Sequence, residues 1–141
     1  MGAWGIGAFE NDTALDWLAD FEYHDLRLID RTLAGVGNMA AAEHLEADEA
    51  SEVLAAAECV AAAAGFPSPN LPDIVVDWVA QNQPIRLRAQ LVAAAQTAVT
   101  HVLTRSELND LWQETDGGPQ WQAIVTDLQA RLAQVGGGDD D

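Results

Sequence analysis

The stretch DEASEVLAAAECVAAAAG (48–65) confines this chain to a narrow set of folds. It holds no proline, and its only glycine is the last residue. Alanine, the strongest helix former, makes up eight of its eighteen residues. The spacing predicts a helix from about Asp48 to Ala64. Asp48 is placed to cap it, Glu49 and Glu52 favour its positive N-terminal end, and Gly65 is placed to stop it. Ala50, Val53, Leu54, Ala57, Val60, Ala61 and Ala64 recur at helical intervals and form its apolar stripe. Glu58 falls at the edge of that stripe, and Cys59 falls opposite it. A helix coated with methyl groups buries little area per residue but lets its neighbours come close. The five tryptophans, with the leucines and valines, must therefore supply most of the burial.

Six further helical segments fit the same reading. Asn11 or Asp12 can cap a first helix, whose inward residues are Ala14, Leu15, Trp17, Leu18 and Phe21. A second runs from about His24 to Gly35 and is broken by GVGN (35–38). PSPNLP (67–72) is a stiff connector that leads through Pro72 into a fourth helix, ending near Asn82. Ile74, Val75, Trp78 and Val79 face inward on it. Pro84 opens a fifth helix reaching about Thr104. Ser106 caps a sixth, and a seventh runs from Gln120 to about Val135 after the turn DGGP (116–119). No segment shows sustained strand alternation. The expected fold is all-α: a compact single-domain bundle of about six to seven helices, with residues 1–135 forming the helical domain. Residues 136–141 are expected to form a disordered acidic tail. Gly2, Gly5 and Gly7 make residues 1–10 an irregular N-terminal arm, with Trp4 and Phe9 plugged into grooves between helices.

Charge sets the expected partners. There are 23 acidic residues against six Lys+Arg, a formal charge of −17. Phosphate backbones and anionic membranes repel such a surface, so neither nucleic acid nor membrane is an expected partner. Basic proteins and divalent cations are attracted to it. Plain solubility and a high-salt origin account for the same charge. The single cysteine, Cys59, excludes an internal disulfide, and Glu58 beside it disfavours a reactive thiolate. The N-terminus lacks a basic region followed by an apolar stretch, and no apolar run approaches transmembrane length. A soluble cytoplasmic protein is expected.

The chain carries no phosphate-binding glycine loop, nucleophile elbow or paired zinc-binding histidines. His101 lies at the edge of the fifth helix's stripe and is expected to be a hydrogen-bonded boundary residue. Asp12, Asp16, Glu46 and Glu58 are the candidate metal ligands, for calcium or another divalent cation, should their helices converge. No other cofactor is expected. Arg86 and Arg88, expected in the first turn of the fifth helix, are a close positive pair on an acidic chain. With Trp4 and Phe9 they form the candidate interaction residues.

The opening MGAWGIGAFENDTALDWLADF, the segment HLEADEASEVLAAAECVAA, and SELNDLWQE followed by WQAIVTDLQARL resemble a bacterial family catalogued as domain of unknown function 4259. The resemblance covers nearly the whole chain. Gly2, Trp4, Gly5, Phe9, Asn11, Asp12, Asp16, Trp17, Glu46, Glu52, Glu58 and Trp112 match its recurring positions. His44 stands where an aromatic is common, and Ile6 where a small polar residue is common. The resemblance implies no catalytic role. The expectation is therefore an acidic binding or regulatory protein, immunity- or antidote-like, that docks a basic partner rather than catalysing a reaction. A small divalent-metal-dependent enzyme and a self-associating structural subunit are the alternatives.

Overall fold

Six helices surround a seventh. The computed structural model describes Phe9 and residues 11–24, 26–37, 43–69, 71–82 and 87–136. The helices are α1 (Asp12–His24), α2 (Leu26–Gly37), α3 (Ala47–Ala63), α4 (Asp73–Gln81), α5 (Ala89–Thr104), α6 (Glu107–Gln113) and α7 (Gly118–Gly136). There is no strand among the described residues, and the fold is the expected all-α bundle. None of these helices is long and apolar enough to cross a membrane.

The central helix is α3, which packs against all six others. This widens the expected stripe to the whole circumference: Val53 to Ala63 are buried without a break. Alanine makes that arrangement feasible, because its methyl group keeps neighbouring helix axes close. Cys59, expected opposite the stripe, is fully buried as a result. Gly65 ends the helix as expected, with φ at 99°, a region that other residues enter only under strain.

The tryptophans supply the bulk that alanine lacks. Trp17, Trp78 and Trp121 are buried, and Trp112 packs against the core from its edge. Trp17 stacks on Phe21 at 5.4 Å, and Phe21 meets Trp78 edge-on at 5.0 Å, tying α1 to α4. Trp112 stacks on Trp121 at 6.4 Å and ties α6 to α7. Phe9 packs against the core, in agreement with a plugged ring. The rest of the expected arm, including Trp4, lies outside the described residues, as do Arg86 and residues 137–141 of the expected tail.

Several boundaries differ from the sequence reading. At α1 the start agrees, and of the two residues expected as its cap Asn11 takes the role: its Oδ1 accepts from the Ala14 N–H at 2.8 Å. The helix α2 runs through Gly35 to Gly37. Glu46, not Asp48, is the N-cap residue of α3, and its N–H donates to Glu49 Oε1 at 3.3 Å. Asp48 instead accepts the Thr13 hydroxyl at 3.0 Å, pinning α1 to α3. The helix α5 begins at Ala89, not Pro84, so Arg88 is its N-cap residue and not part of its first turn. The helix α7 begins at Gly118 and absorbs the end of the expected turn, with Pro119 in the first turn, where a missing N–H costs nothing. Ser106 caps α6 as expected, accepting from the Asn109 N–H at 3.0 Å.

The segment before α3 is held by the α5–α6 corner. The Leu45 N–H donates to Arg105 O at 2.9 Å, and Leu45 O accepts from the Glu107 N–H at 2.8 Å. The Ala47 N–H donates to Glu107 Oε1, 3.0 Å away. His101 Nε2 donates to Glu43 O at 2.6 Å, the boundary role expected of it. His44 Nε2 lies 2.8 Å from Asp110 Oδ2.

Candidate binding cleft

One face of the bundle, where α1, α2 and α3 meet, carries a cleft of about 290 Å³. Trp17 and Asp20 reach it from α1, and Leu28, Arg31, Thr32, Gly35 and Val36 from α2. Leu45 precedes α3, which contributes Glu49, Glu52 and Val53. The apolar members are all buried, so they form a floor, and the charged members form a rim. Helical periodicity produces this division. Glu49 and Val53, four residues apart, share one side of α3, the exposed carboxylate one turn before the buried valine, and Glu52 lies beside Val53. The Trp17 Nε1–H donates to the Thr32 hydroxyl at 2.9 Å and fixes the indole between α1 and α2. Gly35 leaves a gap in the α2 wall: a Cβ built there meets nothing within 4 Å.

The rim has three carboxylates, Asp20, Glu49 and Glu52, and one guanidinium, Arg31. Burial raises the pKa of Glu52, and the charges of Asp48, Glu49 and Asp20 raise it further. Burial is the larger cause, and the neighbouring carboxylates add negative charge at the cleft. A bound cation would relieve it.

The candidate metal ligands are placed apart. Asp12 and Asp16 are exposed on α1, and Glu46 is exposed at the start of α3. Glu58 is buried, and both its oxygens accept from Arg131 of α7, Oε1 from Nη1 at 2.9 Å and Oε2 from Nη2 at 3.0 Å. Arg131 also donates to Phe66 O at 3.1 Å and to Asp127 Oδ2 at 2.8 Å. Among the described residues, no three His, Cys, Asp or Glu side chains group to hold a metal ion. Arg88 of the interaction set pairs with Asp30 of α2 at 2.9 Å on the surface. Burial, and then the neighbouring Glu58, push the Cys59 thiol far up, which leaves it inert as a nucleophile.

The sequence reading placed Glu49 and Glu52 correctly at the start of α3 but assigned them only to its dipole. Asp20, Arg31 and Thr32 went unremarked, and Gly35 was read only as the end of the second helix. Their relevance depends on α1 and α2 packing side by side on α3, which no local spacing encodes.

The fold and cleft thus define an acidic, all-helical protein with a small, carboxylate-rimmed recess. The chain belongs to the family described as Domain of unknown function (DUF4259), whose model matches residues 2–124. No curated protein and no solved structure matches it.

Proposed function

We propose that this protein is a binding module that docks a basic partner, in the manner of an immunity or antidote protein. The observation that carries the reading is the cleft rim, three carboxylates to one guanidinium, set in a chain of formal charge −17. Such a surface accelerates encounter with a cationic partner and disfavours anionic ones. The apolar floor beneath the rim adds area that a docked side chain can cover.

The test is affinity capture with the immobilised full chain, repeated at moderate and high salt. A basic protein retained at moderate salt and released at high salt supports the reading. Retention of nothing basic at moderate salt removes it.

A further inference from the structure

We infer that the α1–α2–α3 cleft receives an arginine side chain of the docked partner. This inference rests on the basic-partner reading and names the point of contact. The argument is one of shape and charge together. A recess of about 290 Å³ is too small for a folded element but suits one long side chain and its surroundings. Its floor, formed by the Trp17 indole with Leu28, Val36 and Val53, is apolar and matches the hydrocarbon stem and flat face of a guanidinium group. Its rim places Asp20, Glu49 and Glu52 around the same opening, three carboxylates that outnumber the one resident guanidinium, Arg31. Arginine suits such a lining better than lysine. Its charge is delocalised, weakly hydrated and able to donate to two carboxylates at once. Glu49 keeps an oxygen for this purpose, since only Oε1 receives the Glu46 N–H. Gly35 lines the recess from α2 and leaves open space there, since nothing lies within 4 Å of a Cβ at that position.

The experiment is calorimetric titration of the full chain with an alternating arginine–glycine octapeptide and its lysine–glycine counterpart, at moderate salt. Three variants are compared. Glu52→Gln removes one rim charge without changing shape, and Gly35→Leu fills that open space. Asp77→Asn removes one charge from the exposed surface of α4, away from the cleft. The expected result is that the arginine peptide binds more tightly than the lysine peptide. Glu52→Gln and Gly35→Leu should each weaken it about tenfold, while Asp77→Asn changes it by less than about twofold. If Asp77→Asn weakens binding as much as Glu52→Gln, and Gly35→Leu does nothing, the cleft is not the site, although the basic-partner reading stands. Equal or tighter binding of the lysine peptide overturns the assignment to arginine. If neither peptide binds, the inference falls together with the reading beneath it. Thermal unfolding of each variant checks the fold, and Gly35→Gln replaces Gly35→Leu should the latter not fold.

Discussion

Glu58 is the most demanding single residue in the chain. Its side chain is 3% exposed and that of Arg131 is 12% exposed, so both charges are withdrawn from water. Burial works against the Arg131 charge, and the hydrogen bonds and charge of Glu58 outweigh it and raise the Arg131 pKa. A buried pair of this kind adds little net stability, yet leaving one member alone is costly. Arg131→Met should therefore destabilise the fold by about 3–5 kcal/mol in chemical denaturation. The double variant Glu58→Leu, Arg131→Met should recover most of that loss, because no charge is then stranded. Glu52 behaves in the opposite way. Its folded pKa lies above its unfolded one, so the folded state holds more protons in the window between the two values. The stability it contributes is lost as pH rises through that window. Glu52→Gln should raise the melting temperature at neutral pH, and the gain should vanish below the ordinary glutamate range of about 4.3. The sequence shows both carboxylates but not their fates. Glu58 and Arg131 are 73 residues apart and meet only because α7 packs against α3.

At the scale of elements, two glycines in helices should respond in opposite directions. A Cβ at Gly35 meets nothing within 4 Å, so Gly35→Ala should stabilise α2 by about 0.5–1 kcal/mol. A Cβ at Gly118 would lie 2.6 Å from the Trp112 carbonyl oxygen, so Gly118→Ala must push α7 away from α6 and lower the melting temperature. Ser106 tests the α5–α6 corner. Its Oγ donates to Val102 O at 2.6 Å and accepts from Asn109 N, and it is buried. Ser106→Ala should cost about 1 kcal/mol in denaturant unfolding. Helix existence was legible throughout, because alanine runs, caps and breakers act within a few residues. Helix starts were less so. Glu46 takes the cap of α3 in place of Asp48, whose carboxylate accepts from Thr13 of α1, while the Glu107 carboxylate of α6 accepts from the Ala47 N–H. Those partners arrive from other parts of the chain. The cleft was illegible for the same reason, since its lining comes from three helices.

At the scale of the whole molecule, the excess of acid is a burden on the folded state. Like charges crowd together on folding and are screened by salt. Raising ionic strength from low to roughly physiological values should raise the melting temperature, and the rise should level off once the screening length falls below the spacing of surface charges. A chain whose acids were mostly paired would show little change. The ion pairs among the described residues engage Asp30, Glu58, Asp110 and Asp127, a small part of 23 acids.

The enclosure of α3 has a consequence for how the protein opens. A helix touched by all its companions has no side from which to fray toward solvent. Deuterium should reach the amides from Val53 to Ala63 only when the entire assembly comes apart, so their labelling rate is a built-in gauge of the total unfolding free energy. Amides near the ends of α4, which packs mainly against α3 with Phe21 of α1 against its Trp78, should label much sooner.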